Sequence, residues 1–171
     1  MGIKLTQPPS SCPAVVANTL HRTTEDAIDG IIEGDGAGGY SVSYFGMELE
    51  SAAAEAESSV TGDNNFHEKL KLTTAVLPAG DYLIGWYCEV ALSSTANAVK
   101  ARVQVDDTDT IAYFKQKPTT VYSGTGWIPV TGFKISTLTA AAHDVDIDYG
   151  TNNAAPTTYI RFARIKIWRV S

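Results

Sequence analysis

Asp144, Asp146 and Asp148 are the residues of this sequence whose types and spacing come nearest to a chemical site. On a β-strand alternate residues share a face, so the three carboxylates would stand in a row about 6.5–7 Å apart. Carboxylates in such a row bind calcium when other oxygen ligands converge on them, because that ion takes about six to eight oxygens. A second loop aimed at the row is not evident in the chain. The expectation is a strand face neutralised across the sheet, with Arg161, Arg164 and Lys166 of the last strand as its basic neighbours. Asp106-Asp107-Thr108-Asp109 poses the same question. It lacks the Gly and the distal Glu of a calcium-binding hand loop. It reads as a turn, where Asp side chains bond the nearby backbone.

Other constellations are absent from the sequence. His21, His67 and His143 are scattered, without the spacing of a zinc pair and without a neighbouring nucleophile. No Gly-x-Ser-x-Gly elbow occurs. Cys88 falls in an apolar run and reads as a small buried hydrophobe, and a disulfide to Cys12 is not expected. Trp86, Tyr87, Trp127 and Trp168 have two readings, a sugar-stacking platform or the filling of a core or oligomer seam. Trp127 is the candidate for ligand stacking. No catalytic residue, cofactor or metal is expected, and the chain does not read as an enzyme.

The elements that would position these residues follow from composition and pattern. The 171 residues are 44% hydrophobic and 19% charged, which suits one globular domain rather than a disordered chain. Thirteen Lys and Arg against nineteen Asp and Glu give a net charge of −6. That balance lacks the basic footprint of a general nucleic-acid binder. No apolar run reaches the roughly 20 residues of a membrane helix.

From Tyr40 onward the chain reads as strands and turns. Val99, Ala101, Val103 and Val105 alternate with Lys100, Arg102 and Gln104, the pattern of a strand with one buried face. Val145, Ile147 and Tyr149 alternate with the three aspartates in the same way. Tyr82 to Leu92 is the most apolar strand. Phe45 to Glu57 has mixed signals, because its alanines favour helix while Phe45, Met47 and Leu49 alternate; a strand is expected. Short strands are expected at Trp127–Val130 and Phe133–Leu138. The closing strand, Tyr159 to Val170, changes phase near Phe162-Ala163, which predicts a bulge. Eight or nine strands at about ten-residue spacing, with no convincing helix, predict an all-β sandwich or barrel.

The first 39 residues differ from the rest. Residues 1–75 hold four Lys and Arg against eleven Asp and Glu, whereas residues 76–171 hold nine against eight. Pro8, Pro9 and Pro13 fix φ and remove donors, which keeps the start extended. The start lacks the apolar stretch of a secretory signal, and it formally fits a short myristoylation pattern through Gly2 and Thr6. The glycine-rich run 34–39 has no Gly-Lys-Ser/Thr after it and is no phosphate loop. Residues 1–39 are therefore expected to form an extended N-terminal arm, with residues 40–171 as the sandwich. Within the arm, Val15, Val16, Leu20, Ile28, Ile31 and Ile32 are the candidates for contact with a partner.

The segment Leu77-Pro78-Ala79-Gly80-Asp81-Tyr82, running into Ile84-Gly85-Trp86-Tyr87, resembles a phrase of small jelly-roll proteins from tailed-phage virions. Ala101 to Asp107 resembles the strand and turn that follow it, and Ala163 to Val170 looks like the usual last strand. The likeness covers about residues 66–171, and trimeric sandwiches of the tumour-necrosis-factor type share its layout. The resemblance implies a jelly-roll β-sandwich. It implies a capsid decoration protein or fibre component that is assembled in the host cytoplasm and resides in the virion. Its partners would be a major capsid protein or other virion protein and further copies of itself, as a homotrimer, with no nucleic acid and no membrane. The alternative is a receptor- or carbohydrate-binding module of a fibre or tail.

Overall fold

A computed structural model describes residues 21–22, 31–34, 40–43, 48–123 and 125–170. The chain divides into two units, 1–47 and 48–171. In the first, β1 (His21–Arg22), β2 (Ile31–Gly34) and β3 (Tyr40–Ser43) form an antiparallel sheet in the order β1-β2-β3. Tyr40–Ser43, expected in the sandwich, pairs here with Ile31–Gly34. Val15, Val16, Leu20 and Ile28 lie outside the described residues. Ile31 and Ile32 lie on β2, in register with Ser43 and Val42.

The second unit holds nine strands among the described residues: β4 (Glu48–Ala54), β5 (Ser58–Val60), β6 (Phe66–Thr73), β7 (Gly80–Leu92), β8 (Val99–Val105), β9 (Asp109–Gln116), β10 (Ile128–Leu138), β11 (Asp144–Thr151) and β12 (Thr158–Arg169). One sheet has the order β10-β7-β12-β4, with β5 also on β12, and the other has β6-β11-β8-β9. The pairing is nested. β4 pairs β12, β6 pairs β11, β7 pairs β10 and β8 pairs β9, alternately in the two sheets. A long hairpin folded over itself in this way is a jelly roll, so the chain is an all-β jelly-roll sandwich.

The tip of that hairpin is Asp106-Asp107. Both residues have positive φ, 52° and 59°, and Thr108 N donates to the Val105 carbonyl across the turn. Hairpin turns of this hand suit Asp, which tolerates the left-handed region. The core lies between the sheets. Inward-pointing Tyr82, Ile84, Cys88 and Val90 of β7 meet Val99, Ala101, Val103 and Val105 of β8 and Val145 and Ile147 of β11.

In β12 the inward residues shift from Ile160 to Ala163, Ile165 and Ile167. The change of phase is taken up by a bulge between Arg161 and Arg164, where Phe162 has φ 52°. The alanine-rich stretch over 52–54 lies in a strand because β12 pairs it along its length. Propensity yields there to the sheet ladder. The expected strands Trp127–Val130 and Phe133–Leu138 are one continuous strand, β10, since Gly132 stays in register opposite Trp86.

Candidate functional site

The acidic row is real, but its basic partners are not those of the last strand. β11 and β12 belong to different sheets, so Arg161, Arg164 and Lys166 sit on the far side of the sandwich. Lys71 on β6 and Arg102 on β8 take their place, each directly across from an aspartate of β11. The Lys71 ammonium lies 3.4 Å from Asp146, 3.4 Å from Asp107, 3.5 Å from Asp144 and 3.6 Å from Glu68. Arg102 Nε donates to Asp148 at 2.8 Å. An ammonium thus occupies the centre to which a cation would be drawn. Among the described residues no group of three or more His, Cys, Asp and Glu is arranged to hold a metal.

Asp146 is only 2% exposed, and no donor is aligned on either of its carboxylate oxygens. Burial, together with the Asp107 carboxyl, pushes its pKa up to about 6 against the pull of Lys71. Beside this cluster the buried His143 ring bonds Asp106 through Nδ1 at 2.8 Å and the Thr139 carbonyl through Nε2 at 3.1 Å. Both partners accept, so the doubly protonated imidazolium satisfies them. Burial disfavours that charge, but the bonds to Asp106 and Thr139 outweigh it and raise the His143 pKa. These groups lock the hairpin tip to β11, because Asp106 also accepts from the Asp144 amide.

The outer face of the β10-β7-β12-β4 sheet has a different character. Phe133 and Ile135 on the edge strand β10 are 74% and 57% exposed. Beside them Gly85 leaves a hollow, since it stands in register between Phe133 and Lys166. A shallow cavity of about 330 Å³ lies over it, lined by Leu83, Tyr87, Phe133 and Trp168 with Arg164 and Lys166. A side chain at Gly85 would press on the Trp168 ring at 3.0 Å. An apolar edge and an apolar hollow therefore share one sheet face.

Trp127 immediately precedes β10 and lies in an aromatic cluster. The Arg161 guanidinium lies 4.1 Å from its ring centroid, and Tyr122 meets it edge-on at 5.4 Å. Tyr122 is stacked in turn on Tyr159 at 3.8 Å. Arg161 also donates to Glu89 at 2.7 Å. One face of the Trp127 ring thus carries a cation that is itself held in place. Cys88 is buried, and burial pushes its thiol up to about 12, as in an unreactive core cysteine. The sequence reading did not single out Lys71, His143 with Asp106, or the Gly85 hollow. Only Gly85 carried a signal, a glycine inside the most apolar strand.

No family model matches the chain, and no curated protein matches it. Several solved structures resemble it in fold. The sugar-binding C-terminal domain of EclA is 19% identical over 71% of this chain and 84% of that one, with a TM-score of 0.45. The Eiger TNF of S. frugiperda is 11% identical over 73% and 94%, with a TM-score of 0.47. The VP2 subviral particle of infectious bursal disease virus is 9% identical over 77% of this chain and 40% of that one, with a TM-score of 0.39.

Proposed function

We propose that the protein is a non-enzymatic structural component of a tailed-phage virion, a homotrimeric decoration protein that binds the head surface. The observation that carries the assembly is the apolar outer face. Phe133 and Ile135 stand exposed on an edge, and the Gly85 hollow lies within the same face. An exposed apolar face of this kind suits self-association, and a head-to-tail contact through it closes into a ring when its rotation allows, of which three copies make the smallest. Burying one Phe removes apolar surface worth about 1.5–3 kcal/mol. The likeness of residues 77–87, 101–107 and 163–170 to jelly-roll virion proteins supports the phage setting. The capsid partner is assigned to the first 39 residues, whose acidic charge and apolar side chains set them apart.

The test is co-sedimentation with the parent phage heads. The full chain is expected to pellet with heads. A chain lacking residues 1–39 should stay folded and bind at least about tenfold more weakly, roughly 1.4 kcal/mol. Equal binding by the truncated chain contradicts the role of that segment. Absence of binding by the full chain contradicts the decoration role.

A further inference from the structure

The opposite face of the sandwich, the outer side of β6-β11-β8-β9, carries a pair of like charges in register. Lys100 on β8 stands directly across from Lys115 on β9. The next pair on the same face is Arg102 and Tyr113. Directly opposed residues are about 5 Å apart, and like charges so placed destabilise a sheet. The arrangement is conspicuous in a chain of net charge −6, where acids are plentiful.

The nearby neutralising groups are already engaged. Asp148 accepts from Arg102 at 2.8 Å, and the Asn64 carbonyl accepts from Lys100 at 2.6 Å. Asp63, the acid whose charge favours the Lys100 ammonium, pairs with His67 at 3.1 Å. Lys115 is exposed and has no hydrogen bond or ion pair among the described residues. Partial burial, and then repulsion from Lys115 and Arg102, lower the Lys100 pKa. Lys100 and Arg102 both lie on the Phe66 ring, 4.3 and 4.2 Å from its centroid. Tyr113 meets that ring edge-on at 6.3 Å and is itself 58% exposed. The result is a patch with an exposed aromatic ring beside two cations that lack a shared anion.

We propose that this patch, formed by Tyr113, Lys115 and Lys100, binds an anionic saccharide. The sugar's carboxylate or sulfate would bridge the two ammoniums while its ring lies on Tyr113, about 7 Å along the strand from Lys115. Two features favour a sugar over an acidic peptide. The patch offers one ring with one anion position, and it lies on the sheet face rather than along the β9 edge, where a peptide strand would add. The site is separate from the apolar face assigned to self-association, and either reading can fail without the other.

The experiment is an NMR titration of the full chain with four probes: 3'-sialyllactose, lactose 3'-sulfate, lactose and sodium sulfate. The two acidic sugars are expected to bind with Kd of about 1 mM, weakening as salt rises. Lactose and sulfate alone should each bind at least about tenfold more weakly. Lys115→Ala and Tyr113→Ala should each lower acidic-sugar affinity about tenfold, while Lys134→Ala on the opposite sheet leaves it unchanged. Lys115 is exposed, so its variant reports on the site even if the Tyr113 variant folds poorly. The proposal is overturned if no acidic sugar binds, if lactose or sulfate binds equally well, or if Lys115→Ala has no effect. Tighter binding of a Glu-rich peptide at the same residues also overturns it.

Discussion

Lys71 stands directly across the sheet from Asp146, with its ammonium 3.4 Å from a carboxylate that is almost wholly buried. The burial of Asp146 favours its neutral form, whereas Lys71 favours the charged one. Burial disfavours the Lys71 charge, but Asp146, Asp107 and Asp144 outweigh it and raise the Lys71 pKa. The two groups therefore depend on each other at neutral pH.

Replacing Lys71 with Met should destabilise the protein at pH 7.5, because Asp146 is left charged and buried. The deficit should shrink near pH 5, where Asp146 takes up a proton. Thermal melts of both proteins at the two pH values check this, and an equal deficit at both would contradict it. Since the ammonium fills the centre of the cluster, a chelator should leave the wild-type melt unmoved.

Two raised pKa values each give the wild-type protein a window of pH-dependent stability. The Asp146 pKa is raised from 3.8 to about 6, so the folded state holds a proton that the unfolded chain releases. That contribution is complete below pH 3.8 and disappears as pH rises to about 6. The His143 pKa is raised above 6.5, so its contribution is present below 6.5 and disappears as pH rises through the folded value. Stability should therefore fall as pH rises above 6.5, and His143→Asn should flatten that slope. Loss of the charged hydrogen bond to Asp106 should cost about 1–3 kcal/mol at pH 6, measured by urea unfolding.

Gly132→Ala should destabilise the sandwich by about 1–3 kcal/mol. A Cβ there would meet the Trp86 ring at 2.6 Å, directly across the β7–β10 pairing. Denaturant midpoints check it, and an unchanged midpoint would mean that Trp86 can move aside.

In the native state Cys88 should resist thiol reagents, since it is 1% exposed and its thiol is pushed up to about 12. Ellman's reagent should find its thiol only after unfolding. Prompt native reactivity of Cys88 in a Cys12→Ser variant would contradict this.

Much of the sandwich is legible in the sequence because strand alternation is local. Val99–Val105 has its predicted faces, and the phase change at Phe162-Ala163 is a real bulge. The partners of the acidic row are not legible. Nested jelly-roll pairing sends β11 and β12 to opposite sheets, so the basic strand next in sequence is not next in space. The same nesting hides the bond between His143 and Asp106, 37 residues apart. Trp86 opposite Gly132 is likewise a matter of register, which alternation alone does not set. The outer apolar face is half legible: Phe133 and Ile135 alternate visibly, but the hollow beside them arises from three strands meeting at Gly85.

The assembly assigned to that face is tested most directly by native mass spectrometry of the full chain and of its Phe133→Asp variant at about 20 µM, within the micromolar range where a specific interface holds. The account predicts three times 18.3 kDa, about 55 kDa, for the wild type and a folded 18.3-kDa monomer for the variant. A wild-type monomer, or a trimer that survives Phe133→Asp unchanged, would contradict it.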